Sequence, residues 1–214
     1  MKSLPGRLFV VEGIDGSGKS TQVDLLHKWL VSQGYLVVFS EWNSSPIVKG
    51  TTRRGKKRHL LSPVSFSLIH AADFASRINA QILPALQAGA IVLADRYIFT
   101  ALARAGVRGL DRQWIRNLYG FAIAPHLVFY LRVDVDTLVR RVLEGGGMDY
   151  WESGMDLKAG DSIYDAFRTY QRSLLKEYQS MADEFDFRTI DAKKSITAIQ
   201  TELRRQIGAF LVEN

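Results

Sequence analysis

Residues 13–21 read Gly-Ile-Asp-Gly-Ser-Gly-Lys-Ser-Thr, and this stretch decides the expected fold. It matches the pattern of a glycine, four residues and then Gly-Lys-Ser/Thr that is typical of phosphate-binding loops. The apolar run at residues 8–11 predicts a buried strand before the loop, and apolar residues at helical spacing in 23–30 predict a helix after it. In that context the loop N–H groups and the helix N-terminus point at phosphate oxygens. The alternative is a glycine-rich turn that only begins a helix.

Each part of this loop has an expected role. The glycines let the backbone curl around phosphate. Lys19 is expected to reach the β- and γ-phosphates of ATP, and the Ser20 hydroxyl is expected to hold magnesium. The predicted phosphate-binding set is Gly13, Asp15, Gly16, Ser17, Gly18, Lys19, Ser20 and Thr21.

The composition is that of an ordinary globular chain. The 214 residues are 47% apolar and 23% charged, which is enough for one domain with a full core. We find no run of about eighteen apolar residues, so neither an export signal nor a membrane span is predicted. The chain has no cysteine, which excludes disulfides and thiol chemistry. We therefore expect a single domain, residues 1–214, in the cytoplasm.

The net charge of +6 is local rather than spread over the chain. Five basic residues fall within residues 53–58, and without them the chain is nearly neutral. Nucleic acid is therefore an unlikely partner, because a broad positive field is missing. The basic run is either a solvated flexible loop or a mobile clamp over a polyanionic ligand.

Strand-like and helix-like segments alternate along the rest of the chain. This alternation predicts crossover connections, and hence a five-stranded parallel sheet with helices on both faces and a lid segment, in an α/β P-loop fold. Ligands of such sheets lie at the carboxyl ends of the strands. Further strands are predicted at 36–40, 91–95, 127–133 and 187–191, and helices at 66–87, 112–122, 136–144, 162–184 and 195–211.

The strand at 91–95 is expected to deliver two charged side chains to that edge. Asp95 is suited to the magnesium shell, and Arg96 to a phosphate, because its planar donors can bind two oxygens at once. Alternatively, Asp95 only caps the following helix.

At this point the chain resembles the thymidylate kinase family of nucleoside monophosphate kinases, nearly end to end. These enzymes move the γ-phosphoryl group of ATP to a nucleoside 5′-monophosphate, usually as homodimers with magnesium. The resemblance implies that Asp15 approaches the acceptor, that Arg96 binds its phosphate and that Asp95 lies near the metal. The matching stretches are GIDGSGKST at 13–21, Asp95-Arg96-Tyr97, GVRGL at 106–110, PHLVFYLRV at 125–133, the helix at 70–89 and Ile-Asp-Ala at 190–192.

The departures from the family pattern fall on the acceptor pocket. Phe74 replaces the arginine expected to bond thymine, and His70 replaces the phenylalanine expected to stack on it. Arg104-Ala105 stands in place of Tyr-Gln, and residues 40–46 read SEWNSSP in place of REPGGTP. A site that has lost hydrogen-bonding partners for a polar edge loses discrimination. The acceptor pocket has therefore been rebuilt, and thymine selectivity is open.

One face of the helix at 66–87 is expected to line the rebuilt pocket. His70, Phe74 and Arg77 lie at i, i+4 and i+7, and Trp42 is a candidate for replacement stacking. Alternatively, Phe74 and Trp42 belong to the core, and Asp73 with Arg77 is only a surface pair. The predicted acceptor-binding set is His70, Phe74, Arg77, Arg96, Arg104 and Trp42.

The predicted lid, residues 145–161, lacks the arginine that the resemblance implies. Tyr150 stands where that arginine is expected, after a hinge-like glycine run at 145–147. An arginine against the transferred group is worth roughly 10³ to 10⁵ in rate. We expect Arg141 at the lid base to replace it, with Arg140, Lys158 and the basic run as alternatives. The predicted catalytic set is Lys19, Asp15, Arg96 and Arg141, and the metal set is Ser20 and Asp95.

Three functions compete at this stage. The first is a nucleoside monophosphate kinase of thymidylate kinase type, acting with MgATP on an acceptor such as dTMP, as a homodimer. The second is a kinase of the same fold for another phosphorylated or polyanionic acceptor. The third is a nucleotide-binding module without enzyme activity.

Overall fold

Five parallel strands form one sheet in the computed structural model, which describes residues 4–57, 61–144, 154–157 and 162–213. The spatial order is β2-β3-β1-β4-β5, with helices packed around the sheet. This confirms the predicted α/β architecture with a five-stranded parallel sheet. The strands are β1 Arg7–Glu12, β2 Val37–Glu41, β3 Ile91–Asp95, β4 Leu127–Arg132 and β5 Arg188–Asp191.

The helices fill the connections between these strands. A π-helical turn, Ile78–Ile82, joins two of them, and a short 3-10 turn spans Met155–Leu157. The α-helices are α1 Lys19–Ser32, α2 Lys49–Lys57, α3 Pro63–Arg77, α4 Leu83–Gln87, α5 Ile98–Val107, α6 Arg112–Leu118, α7 Val135–Glu144, α8 Ile163–Glu184 and α9 Ile196–Glu213.

Three helical expectations need correction. The helix predicted at 66–87 is broken into α3, the π-helical turn and α4, because Pro84 has no N–H to continue a regular ladder. Helix α5 was missed, because nearly all of its side chains are buried and no amphipathic period marks it. The solvated-loop alternative for the basic run is wrong for residues 53–57, because residues 49–57 form α2, with Thr52 buried, whereas the clamp stays a prediction.

The register of the sheet brings three loops together. Val11 of β1 lies beside Asp95 of β3, and Glu41 of β2 lies beside Asp95 on the other side. Because the strands are parallel, the loops that follow all three start at the same edge. The buried segment of β1, residues 8–11, is wholly apolar and anchors that edge in the core.

Other parts of the sequence analysis fall on residues that the structure does not describe. The predicted lid at 145–161, including the glycines at 145–147 and Tyr150, lies outside the described residues except for 154–157. No helix of the described part is long and apolar enough to cross a membrane.

Candidate active site

The phosphate-binding loop runs from the end of β1 into α1. Gly18 caps α1 with a φ of 89°, a left-handed conformation that favours glycine. Gly16 has a φ of 77°, and a Cβ there would lie 2.7 Å from Leu138 Cδ1. Around a Cβ built on Gly18 no heavy atom of the described residues lies within 4 Å, apart from its chain neighbours and the helix backbone. Within the described part of the chain, the N-terminus of α1 is therefore unobstructed at Gly18, as an anion-binding helix end requires.

Lys19, Ser20 and Asp95 lie together at the floor of this loop. The Lys19 ammonium is buried and donates to the Ile14 carbonyl at 2.9 Å. The Ser20 hydroxyl donates to Asp95 Oδ2 at 3.2 Å. Burial raises the pKa of Asp95, opposed by the positive charge of Lys19 and by the Ser20 hydrogen bond. These side chains share a cavity of about 170 Å³ lined by Asp15, Lys19, Ser20, Glu41, Trp42, Asp95 and Arg96.

Asp15 joins two arginines beside the loop. Its carboxylate forms ion pairs with Arg96 and with Arg104, the latter at 3.2 Å. Arg96 has a φ of 69°, which is costly for a residue with a Cβ and persists only where the surroundings enforce it. Its N–H is held by the Val11 carbonyl at 3.0 Å. The structure thus brings together three predicted site residues, the first and last of which are 89 positions apart in the chain.

Glu12, which the sequence analysis did not single out, holds the turn that carries Arg96. It is fully buried and accepts hydrogen bonds from the Tyr97 N–H at 2.7 Å and from the Thr100 N–H and hydroxyl. The Tyr178 hydroxyl of α8 donates to it at 2.9 Å. Burial raises the pKa of Glu12, and these hydrogen bonds oppose the shift. The sequence signal that could have identified Glu12 is a carboxylate at the end of an apolar strand.

Helix α3 presents a buried ion pair rather than a surface pair. Arg77 Nε donates to Asp73 Oδ2 at 3.0 Å, and both side chains are at most 2% exposed. Arg77 Nη1 also donates to the Ser40 hydroxyl at 2.9 Å. Burial lowers the pKa of Arg77, and the charge of Asp73 opposes that shift. The surface alternative for this pair is therefore wrong.

Phe74 belongs to the core. It has no exposed surface and packs edge-on against Tyr97 and Tyr119. The Tyr97 hydroxyl donates to the Ile123 carbonyl at 2.8 Å, which fixes the ring beneath Phe74. Phe74 does not line the cavity beside the phosphate-binding loop, so the core alternative accounts for it and its predicted acceptor contact has no support in this arrangement.

Trp42 and His70 stack on each other between the loop and α3. Their ring centroids lie 5.4 Å apart with an interplanar angle of 22°, and both residues are buried. The Arg77 guanidinium lies 5.5 Å from the Trp42 ring centroid. Of the predicted acceptor-binding residues, Trp42 and Arg96 line the cavity described above.

Arg141 reaches the phosphate-binding loop from α7. Its Nη1 donates to the Gly16 carbonyl at 3.3 Å and its Nη2 to the Ala192 carbonyl at 2.8 Å. The adjacent Arg140 donates only to Thr137, one turn back on its own helix, among the contacts described. Lys158 lies outside the described residues. Arg141 is thus anchored beside the loop, whereas Arg140 contacts another part of the surface.

Comparison with known proteins places this geometry in a family. The sequence profile described as Thymidylate kinase matches residues 11–203. The chain belongs to the thymidylate kinase family. It is 37% identical to a protein named "Probable thymidylate kinase 2" from Saccharolobus solfataricus, over 97% of this chain and 98% of that one. It is 31% identical to "Thymidylate kinase" of Halothermothrix orenii, over 98% and 100% of the two chains.

Family membership confirms the enzyme class expected from the motifs. The chain is an ATP-dependent phosphotransferase of the nucleoside monophosphate kinase type, resembling thymidylate kinase. A third relative, "Probable thymidylate kinase" of Thermococcus gammatolerans, is 31% identical over 92% of this chain and 94% of its own. The match includes the phosphate-binding loop and the acceptor side of the sheet alike.

Proposed function

We propose that this kinase transfers the γ-phosphoryl group of ATP to dTMP or a closely related (deoxy)nucleoside 5′-monophosphate. The observation that carries the proposal is the convergence of Arg96 and Arg104 on Asp15, next to the phosphate-binding loop. Two guanidinium groups beside a phosphate loop supply the planar paired donors that bind a second phosphate. The relatives' names support thymidylate as the acceptor.

On the donor side, the chain supplies a cradle for triphosphate. The N–H groups around Gly18 and the start of α1 face the phosphates, and the Lys19 ammonium neutralises the β- and γ-phosphate oxygens. Binding exchanges the Lys19 hydrogen bond to the Ile14 carbonyl for stronger charge-assisted ones. This half of the site positions the donor and balances its charge.

Ser20 and Asp95 fit a magnesium ion. A hydroxyl and a carboxylate 3.2 Å apart are the oxygen donors that magnesium prefers, and magnesium takes few protein ligands beside phosphates and water. In the described part of the chain no group of three or more His, Cys, Asp or Glu residues is arranged to hold a metal. Bound there, magnesium would neutralise charge on the β- and γ-phosphates.

On the acceptor side, Arg96 and Arg104 orient the acceptor phosphate for in-line attack. Asp15 holds the two guanidinium groups in place and needs no role as a base, because a phosphate acceptor is already ionised. Two hydrogen bonds fix the strained backbone of Arg96. The Val11 carbonyl accepts the Arg96 N–H, and the Glu12 carboxylate accepts the N–H of the next residue, Tyr97. Catalysis on this side is therefore positioning and electrostatics.

Arg141 is the proposed cation for the transferred group. Its hydrogen bond to the Gly16 carbonyl sets the guanidinium at the rim of the phosphate-binding loop. A small rotation of the side chain would exchange that carbonyl for a phosphoryl oxygen. Closure of the lid segment, residues 145–161, stays a prediction, as does the single-domain organisation of the chain.

A second acceptor class is favoured by one observation. Arg53 and Arg54 of α2 are exposed and form none of the ion pairs found among the described residues, while Phe74, in the position expected to read thymine, is buried in the core. A kinase for another phosphorylated acceptor would use such free cations. This function is the alternative that the following experiment tests.

The experiment is an acceptor panel scored for ADP release with MgATP. The panel contains dTMP, dUMP, dCMP, dGMP, AMP and non-nucleotide phosphate monoesters at equal concentration. Preference for dTMP by at least about tenfold in kcat/KM is expected. Transfer to a non-nucleotide phosphate in preference to every nucleotide would replace the first function with the second, and no transfer to any acceptor would remove both.

The homodimer expected from the resemblance is also a proposal. Exposed apolar side chains on α3 and α6, such as Leu68 and Trp114, are surface that a second copy would cover. Sedimentation equilibrium at micromolar concentration should give twice the chain mass of 24.1 kDa. A single 24.1 kDa species would contradict it.

A further inference from the structure

Trp42 closes the acceptor side of the site in this structure. It follows β2 directly and lines the cavity that holds Lys19, Asp95 and Arg96. Its indole is 9% exposed, stacks on His70 and lies beneath the Arg77 guanidinium. The ring therefore lies between the phosphate-binding loop and the polar face of α3.

This closed arrangement leaves three polar atoms unsatisfied. The indole N–H of Trp42, the side-chain carbonyl of Asn43 and Nη2 of Arg77 are all buried and have no hydrogen-bond partner among the residues that the structure describes. Buried polar groups are normally paired, because an unpaired one costs free energy. Asn43 also has a φ of 59°, a left-handed conformation that asparagine tolerates better than most residues. The segment is thus costly in the conformation that it adopts.

One carboxylate accepts two backbone N–H groups of the segment that carries Trp42. Asp73 accepts the Asn43 N–H at 3.1 Å and the Ser45 N–H at 2.8 Å, and the same carboxylate accepts Arg77 Nε. The backbone N–H of Trp42 donates to the Asp95 carbonyl at 3.2 Å. The Ser44 hydroxyl also donates to the Glu41 carbonyl at 2.6 Å, and the Ser45 hydroxyl to the Ser76 hydroxyl at 2.8 Å. Residues 42–45 are therefore fixed by backbone and serine hydrogen bonds, while the indole ring is held by its contacts with His70 and Arg77 and by packing against the core.

Two separate cavities lie next to residues 42–45. The cavity beside the phosphate-binding loop measures about 170 Å³, and a cavity of about 400 Å³ lies on the far side, lined by Ser44, Ser45 and Arg77 among others. Glu41 lines both. Small-molecule sites are commonly about 300–1,000 Å³, so the first cavity alone is too small for a nucleoside monophosphate. Movement of residues 42–45 would join the two.

We propose that Trp42 is an aromatic gate whose indole exchanges with the base of the acceptor. When the ring leaves, a planar base stacks on His70, and the unpaired Nη2 of Arg77 donates to a ring carbonyl. The acceptor phosphate then lies between Arg96 and Arg104. A base with a carbonyl next to a ring nitrogen, as in pyrimidine and guanine nucleotides, satisfies this arrangement.

The gate rests on the proposed function and has a definite kinetic consequence. Since the indole and the base compete for one position, the apparent affinity for the acceptor is reduced by the fraction of molecules with the gate closed. Removing the ring removes that competition. Trp42→Ala should therefore lower the KM for dTMP. If Trp42 instead stacked on the bound base, its loss would raise that KM.

The test compares Trp42→Ala, Trp42→Phe and the control Tyr35→Ala, an exposed aromatic residue just before β2. With saturating MgATP, Trp42→Ala should lower the KM for dTMP by about two- to tenfold, the range of an aromatic stacking contact, with kcat within about twofold. Trp42→Phe, which keeps a smaller stacking ring, should fall between wild type and Trp42→Ala. Tyr35→Ala should match wild type. Thermal melts verify that each variant folds.

Fluorescence gives a second measurement that does not depend on turnover. Titration of the wild type with dTMP should shift tryptophan emission to the red as the indole moves from His70 into water, and Trp42→Phe should lack this shift. An unchanged or raised KM in Trp42→Ala, with the wild type active, would overturn the gate and leave the proposed function standing. No transfer to any nucleotide would overturn the proposed function, and the absence of the red shift in that case would overturn the gate as well.

Discussion

The donor side and the acceptor side of this site are built in different ways. The proposed donor side comes from one short stretch, residues 13–20, in which Gly13, Gly16 and Gly18 have positive φ angles and the last two residues begin α1. The acceptor side is assembled from β2, α3 and the turn after β3, and it is held by buried ion pairs such as Asp73–Arg77. The donor side should therefore tolerate substitutions in the surrounding residues, whereas the acceptor side should be sensitive to substitutions that disturb its packing.

The largest effect is expected on the donor side. Lys19→Ala should lower kcat by about 10³-fold or more, because it removes the cation that opposes charge developing on the transferred group. The global fold should persist, since Lys19 lines the cavity of the site beside Ser20 and Asp95 and is not part of the apolar core. Steady-state ADP release measures the loss. Lys28→Ala, an exposed position on the same helix, is the control and should retain full activity.

On the acceptor side the corresponding change should damage stability. Asp73→Ala leaves the Arg77 charge buried without its carboxylate and frees two backbone N–H groups of residues 43 and 45. Breaking a buried pair in this way costs about 3–5 kcal/mol, measured by urea unfolding. Asp24→Ala breaks the exposed pair with Lys28 and should cost less than about 1 kcal/mol. If Asp73→Ala and Asp24→Ala lowered the free energy of unfolding equally, the acceptor side would not depend on its buried ion pair.

The same contrast explains what the sequence predicted. The sequence predicts the loop at 13–21, the strands and the carboxylate at Asp95, because each is indicated by the spacing or periodicity of residues that are close together in the chain. Helix α5 and the position of Phe74 do not, because burial on all sides removes the amphipathic pattern on which such reasoning depends. The pairing of Asp73 was predicted, but its burial depends on contacts with residues 43 and 45, about thirty positions away.

Magnesium dependence sharpens the donor side further. Asp95→Asn should raise the magnesium concentration for half-maximal activity by about 10- to 100-fold, since it removes the carboxylate paired with Ser20. The neighbouring carboxylate Glu41 lines the same cavity from β2 and serves as the comparison. Titration of activity with magnesium at fixed ATP measures both variants. A larger effect in Glu41→Gln would indicate that the metal is held by Glu41 at the end of β2 and not by Asp95 at the end of β3.

Glu12 lies between the two sides, and its pH dependence gives the smallest effect. Burial raises its pKa in the folded protein, so above pH 4.5 the unfolded chain loses this proton before the folded chain does. The contribution of Glu12 to the free energy of unfolding therefore falls as pH rises from 4.5 through the folded pKa, by at most about 1.4 kcal/mol per pH unit. Glu12→Gln has no proton to lose. The stability of wild type minus that of Glu12→Gln, from urea unfolding at successive pH values, should decline across this window and then level. A difference that grows with pH would show that the donors from Tyr97, Thr100 and Tyr178 stabilise the ionised carboxylate more than burial penalises it.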